Sequence, residues 1–254
     1  MAEVTLRFYE ELNDFLPAAL RRTDIVQPCN RRTSVKDMIE SFGVPHTEVE
    51  LILVNGNSVD FSCIVHAGDR ISVYPVFEAL DISPLLRLRP APLRTPRFII
   101  DVNLGRLARY LRLLGFDCRY GNDLNDADIA QISVAESRTV LTRDRALLQQ
   151  RIITHGYFVR ACQPLEQVRE VLARLDLYRQ VQPFTRCTRC NGRLERVDKQ
   201  AVLAELQPKT RKYFDEFQRC TGCGQIYWKG SHFAGAEQLV AAIGSPPKGV
   251  NGLQ

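Results

Sequence analysis

Along the first eighty positions apolar and polar residues alternate at a period of two, interrupted once. "VTLRFY" (4–9) alternates as a strand does. "TSVKDMIESFG" (33–43) breaks that rhythm and predicts a short helix, with Ser34 and Asp37 spaced as a capping box and Gly43 as its stop. "ELILVNGNSVDF" holds Asn55-Gly56 between two apolar runs, the strongest short hairpin signal, and "AGDRISVYPV" (67–76) adds a further strand. From residue 97 the pattern changes. "RFII" reads as a buried strand. Leu104, Leu107, Ala108, Leu111 and Leu114 then share one helical face that ends at Gly115. "FDCRYG" is a second strand and "NDADIAQISVAESR" a helix with an acidic first turn, favoured by the helix dipole. "TVLT", a short helix after Arg143-Asp144-Arg145, "GYFVR" and the proline-started "PLEQVREVLARLDL" complete the alternation.

Strand, strand, helix, strand, strand is the order of an α+β β-grasp, or ubiquitin-like, unit, expected over residues 1–82. The alternating stretch at 97–182 predicts an α/β domain whose parallel sheet is covered on both faces. Between them, residues 83–96 read as a linker. Pro84, Pro90, Pro92 and Pro96, with Arg87, Arg89 and Arg94, stiffen and solvate it. Residues 183–235 form a third, cysteine-bearing segment. Residues 236–254 are expected to be a tail whose polar, Gly/Pro-rich end, "SPPKGVNGLQ", is disordered.

The 254 residues are 45% hydrophobic and 25% charged, ordinary globular composition. No apolar run reaches the ~18–20 residues that cross a bilayer, and the first residues lack the layout of a signal peptide, so no membrane contact and a cytoplasmic location are expected. Charge is unevenly placed. Residues 1–84 hold 7 Lys+Arg and 13 Asp+Glu, net −6, whereas residues 85–254 hold 27 and 16, net +11. The basic part suits a polyanion such as RNA, its arginine forks matching phosphate.

Cys187, Cys190, Cys220 and Cys223 form two C-x2-C pairs. Each pair can grip one tetrahedral ion from a tight turn, which Gly222 and Gly224 assist, and two pairs close a four-thiolate shell, so a structural zinc ribbon is expected. "PKTRKYFDEF" (208–217), between the pairs, looks helical. The isolated Cys29, Cys63, Cys118 and Cys162 are read as packing residues.

Asp101 follows "RFII", Asp144 follows "TVLT", and Asp126 and Asp128 open a helix. The carboxyl ends of parallel strands gather on one edge of a sheet, where ligands bind. Carboxylates brought together there repel unless a cation neutralises them, and an all-oxygen set suits Mg²⁺ or Mn²⁺. Such an ion activates water and clamps a scissile phosphate. Arg106, Arg109, Arg143 and Arg145 are candidates to hold backbone phosphates, and Lys229 of "YWKGSHF" another. Tyr227 and Trp228 are candidates to stack on bases or to finish the cysteine module's core. Each aspartate also has a plain alternative as a helix cap or surface pair.

"FIIDVNLGRLARYLRLLGFD", "DADIAQIS", "VLTRDRALL", the two cysteine pairs and "FDEFQRCTGCGQIYWKGSHF" resemble the PIN-like ribonuclease family named for the C-terminal domain of the Mut-seven exonuclease. The resemblance spans residues 97–235. The β-grasp segment resembles the ubiquitin-like module joined to that domain, and its "LILVNG" and "AGDRISVYP" are similar to sulfur carriers. It lacks a free Gly-Gly end, because the chain runs on through Pro75; a docking module is the expectation. The resemblance implies a metal-dependent ribonuclease, with Asp101, Asp126 (with Asp128) and Asp144 as metal-ligand candidates, zinc on the cysteines, and endonucleolytic cutting. A fourth acid seen in many PIN domains has no clear counterpart after Asp144. The rival readings are a non-catalytic RNA-binding adaptor and a protein-interaction scaffold organised by the β-grasp module.

Overall fold

The computed structural model describes residues 3–75, 87–88 and 96–243. The opening alternation forms strand β1 (Glu3–Phe8), which buries Val4, Leu6 and Phe8 on one face. Strand β2 is Ile25–Pro28. Helix α1 (Val35–Ser41) starts at Ser34, whose hydroxyl accepts from the Asp37 N–H at 3.1 Å. Strand β3 (Val49–Val54) turns through Asn55 and Gly56 into β4 (Asn57–Ser58), and β5 is Arg70–Pro75. Asn55 (φ 53°) and Gly56 (φ 83°) are both left-handed, the signature of the tight primed turn that Asn-Gly favours.

The α/β stretch follows as β6 (Arg97–Ile100), α2 (Gly105–Leu113), β7 (Asp117–Arg119), α3 (Asp126–Ala135), β8 (Thr139–Thr142), α4 (Arg145–Leu148), β9 (Gly156–Phe158) and α5 (Pro164–Arg174). The cysteine-bearing segment holds β10 (Leu194–Val197), α6 (Lys199–Val202), α7 (Pro208–Tyr213), β11 (Phe217–Cys220), β12 (Ile226–Trp228) and α8 (Ser231–Ile243). Among the described residues, no helix is long and apolar enough to cross a membrane.

The chain divides into two compact units, Met1–Thr95 with Asn125–Phe158, and Pro96–Leu124 with Val159–Gln254. In the first, a five-stranded sheet has the order β2-β1-β5-β3-β4. β1 and β5 run parallel in its middle, with Leu6 opposite Ile71 and Phe8 opposite Val73. Val35, Met38 and Ile39 of α1 share the resulting core with these residues. Each such side chain taken fully out of water contributes about 1.5–3 kcal/mol. The same unit contains β8 and β9, a parallel pair with Leu141 opposite Tyr157.

In the second unit β6 and β7 are parallel, with Phe98 opposite Cys118. Leu107, Ala108 and Leu111 of α2 are fully buried, as their spacing requires. Beyond α2 the backbone N–H groups of Gln182 and Phe184 donate to the carbonyls of Leu114 and Leu113, tying the entry of the cysteine segment to the end of the helix. That segment is an antiparallel sheet, β10-β11-β12. The architecture is thus mixed α/β with parallel strands, behind a β-grasp region and ahead of a four-cysteine module.

Three expectations need correction. The helix expected over 208–217 stops at Tyr213, because Phe217 is taken into β11, opposite Val197 and Trp228, where it fills the module's core. The boundary expected at residue 236 is crossed by α8, which runs to Ile243. Cys162 is exposed rather than packed, whereas Cys29 and Cys63 are half-buried and Cys118 is buried. The linker over 83–96, apart from residues 87, 88 and 96, and the tail from 244 onward lie outside the described residues.

Candidate functional sites

The four cysteines come together. Their sulfurs all lie within 4.8 Å of one another, and among the described residues they form the one such set of three or more His, Cys, Asp or Glu ligands. Cys187 Sγ is 3.7 Å from Cys223 Sγ, and Cys190 Sγ is 3.3 Å from Cys220 Sγ. A tetrahedral zinc with bonds of ~2.3 Å places its sulfurs ~3.8 Å apart. A disulfide needs ~2.05 Å.

Backbone N–H groups already point at the sulfurs. Cys190 N donates to Cys187 Sγ at 3.5 Å, and Gly222 N and Cys223 N donate to Cys220 Sγ at 3.3 and 3.5 Å. These bonds favour thiolates. Burial acts to raise the Cys187 thiol, but the Tyr227 hydroxyl, 3.1 Å away, and the N–H groups of Cys190 and Arg189 outweigh it and bring the thiol from 9.0 to about 7. Tyr227 is pushed up to about 12, first by burial and then by its bond to Cys187. The donor chemistry and spacing fit: this cluster could bind zinc.

Gly192 went unnoticed in the sequence. A Cβ there would sit 2.7 Å from Cys220 Sγ and 3.0 Å from Gly222 N, so the knuckles close only around a bare backbone. Arg112 also went unnoticed. It is buried on α2, and its Nε donates to Cys118 O at 2.9 Å while Nη1 donates to Thr188 O at 3.4 Å and Arg189 O at 3.0 Å. Thr188 and Arg189 lie inside the first cysteine pair. Asn191 adds a second tie, accepting from Cys118 N and donating to Asp117.

The aspartates occupy strand-to-helix junctions. In the second unit Asp101 directly follows β6, is 5% exposed, and accepts from Asn103 N at 3.4 Å as the cap of a 3₁₀ turn. In the first unit Asp144 follows β8 and caps α4; both of its bonds, from Ala146 N at 2.7 Å and Leu147 N at 3.4 Å, fall on Oδ1. Asp128 is committed to α3. It accepts from Asn125 N at 3.2 Å while Asn125 accepts from Asp128 N, a complete capping box. Asp126, one residue into the same helix, is exposed.

Of the candidate cations, Arg106 and Arg109 project from α2 and are exposed, as is Arg143. Lys229 makes an exposed pair with Glu216 at 3.4 Å. Arg145 is engaged otherwise than expected. Its guanidinium lies over the rings of Phe15 and Phe158, and Nη1 donates to Phe15 O at 3.3 Å. Beside the β10-β11-β12 sheet lies a cavity of about 570 Å³, lined by Phe184, Trp228, Phe233, Arg196 and Lys229 among others.

Residues 96–240 match the family model described as Mut7-C RNAse domain, and residues 1–81 match the model described as Mut7-C ubiquitin. No match is found among curated proteins or among solved structures. With more than half of its 254 residues inside the first of these models, the chain belongs to the Mut7-C RNAse domain family and carries a Mut7-C ubiquitin domain ahead of it.

Proposed function

We propose that the chain is a PIN-like, metal-dependent endoribonuclease in which Asp101, Asp126 and Asp144 share one or two Mg²⁺ or Mn²⁺ ions. The observation that carries the reading is the RNAse-domain match, whose span takes in all of these acids. Their chemistry is consistent with it. All the donors are carboxylate oxygens, which suit hard divalent cations. Both hydrogen bonds to Asp144 use Oδ1 alone. Asp126, in the first turn of α3, is the preferred ligand from that helix, with Asp128 two residues on, whose capping bond uses Oδ2. When bound, the cation supplies a polarised water and neutralises charge at phosphorus.

The chain's own groups do the rest. The aspartates orient the attacking water in line with the leaving oxygen. Arg106, Arg109 and Arg143 take the flanking phosphates. The cavity beside the cysteine module, walled by Trp228, Phe184 and Phe233, accepts an unpaired base, with Lys229 exchanging its screened partner Glu216 for phosphate. Zinc on the four cysteines is structural, since a closed shell leaves no open position.

The rival, an RNA-binding adaptor without catalysis, draws on the fact that Asp101 and Asp144 both cap helical turns. Asparagine caps a helix about as well as aspartate but is a poor metal ligand. Asp101→Asn and Asp144→Asn, each measured in the full chain with Mn²⁺ and a single-stranded RNA, are expected to keep the melting temperature and RNA affinity while losing at least a hundredfold in cleavage. RNA binding without cleavage by the parent chain would leave the adaptor reading, and cleavage by both variants at the parent rate would mean a different active site.

A further inference from the structure

The ubiquitin-like domain meets the polypeptide on either side of Asp144 through a surface built for permanent contact. Asp144 caps α4, a helix of only four residues. One isolated turn has no stability of its own, so its position is set by what grips it. On the inner side Leu147 and Leu148 are fully buried. On the outer side the grip is Arg145, the residue after Asp144. Its guanidinium carbon lies 5.0 Å from the Phe15 ring centre and 5.6 Å from that of Phe158. The two rings meet edge-to-face at 5.4 Å. Nη1 adds a hydrogen bond to the Phe15 carbonyl. Phe15 belongs to the ubiquitin-like domain; Arg145 and Phe158 belong to the RNAse domain.

Three neighbouring ties run in the same direction. The buried His46 ring places Nδ1 2.7 Å from Glu40 Oε1 and Nε2 2.8 Å from the Ile153 carbonyl oxygen. The two contacts hold the ring between α1 and the segment before β9. Glu48, 2% exposed, accepts the Phe158 N–H. Thr47, equally buried, lies against Gly156 of β9. His, Thr and Glu side chains turned outward from a detachable domain would be wet. Here all three are dry, and His46 and Glu48 are hydrogen-bonded to a segment more than 100 residues away.

We propose that Arg145 is a positioning residue, and that the ubiquitin-like domain is a built-in brace: through the Phe15–Arg145–Phe158 stack it fixes the first turn of α4 and with it the Asp144 carboxylate. The role rests on the reading of Asp144 as a metal ligand. It differs from phosphate binding, because the guanidinium faces aromatic rings and a carbonyl.

The test uses the full chain with Arg145→Ala, Arg145→Lys and Phe15→Leu. Amide hydrogen exchange is followed at Ala146 and Leu147, the two N–H groups that Asp144 accepts. Arg145→Ala and Phe15→Leu are expected to speed that exchange at least tenfold, and Arg145→Lys less, because it keeps a cation over the rings but lacks the planar fork. Cleavage should fall about ten- to a hundredfold in kcat with the KM for RNA unchanged, the mark of a misplaced group rather than a lost contact. Unchanged exchange in Arg145→Ala, or a raised KM with an unaltered kcat, overturns the proposal. Should the parent chain cleave no RNA, the ribonuclease reading fails, and the exchange rates still decide whether the brace exists.

Discussion

Replacing Arg112 by methionine isolates the tie between α2 and the cysteine module. The substitution keeps an unbranched apolar stem and removes a guanidinium that is only 4% exposed. Three carbonyls lose the guanidinium as donor: Cys118 in the middle of β7, and Thr188 and Arg189 between the first two cysteines. A hydrogen bond from a charged donor contributes about 1.5–3 kcal/mol, and the orphaned Cys118 carbonyl, the buried one of the three, costs about 1–3 kcal/mol. Against this, the variant no longer buries a charge; burial already holds the Arg112 pKa below its ordinary value. The balance is a loss of about 3 kcal/mol, at the lower end of what breaking a buried ionic contact costs. Trp228 is the sole tryptophan and lies in β12, so its fluorescence during urea unfolding reports the module directly. The zinc-loaded variant should unfold at markedly lower urea and surrender its zinc to a chromogenic chelator faster than the parent. A midpoint shift worth less than about 0.5 kcal/mol, the range of an ordinary surface substitution, would refute the argument that Arg112 anchors the knuckle.

Two further outcomes follow from single contacts. Stripping metal with a strong chelator should shift Trp228 emission to the red and expose the core of Val202, Leu206, Phe217 and Ile226, while the circular dichroism of the β-grasp sheet persists; simultaneous loss of both would mean that the cysteines do not stabilise the module separately. Gly156→Ala sets a methyl 2.5 Å from Leu148 Cδ2, a fully buried side chain with little room to turn, and should cost about 1–3 kcal/mol in thermal stability. A gain instead, the usual result of removing glycine from a strand, would show that β9 and α4 are not in close apposition.

What could be read from the sequence is what depends on neighbours along the chain. Ser34 caps α1 because a hydroxyl three residues before an amide reaches it in any context. Asn55-Gly56 turns because both residues tolerate positive φ. The C-x2-C spacing alone was enough to bring four sulfurs within 4.8 Å. What could not be read depends on distant partners. Arg145 looks like a phosphate ligand beside Asp144, yet one of its rings lies 130 residues earlier. His46 is likewise explained only by Ile153. Arg112 does leave a trace in the sequence: it stands four residues after Ala108, on the face that the leucines bury, where a charged residue needs a buried partner. The helix expected through Phe217 failed because Phe217 gains more by filling the module's core than by extending a helix.

Caps and ligands make compatible demands on a carboxylate, and this chain contains its own control. Asp101 and Asp144 each end a strand and cap the turn that follows. Asp198 does the same, directly after β10 and ahead of α6, where its side chain accepts from Gln200 N at 2.7 Å. The strand–Asp–turn motif by itself therefore says nothing about metal. What separates the first two from Asp198 is the pairing of the strands they follow: β6 runs parallel to β7 and β8 parallel to β9, whereas β10 runs antiparallel to β11. The carboxyl ends of parallel strands are where helix starts, with their unpaired N–H groups, collect beside a binding crevice. On the proposed reading of Asp101 and Asp144 as metal ligands, a cap there would hold a carboxylate oxygen in a fixed direction before an ion arrives, and the capping bond would preorganise the ligand. At Asp198 the identical bond has only a helix to start.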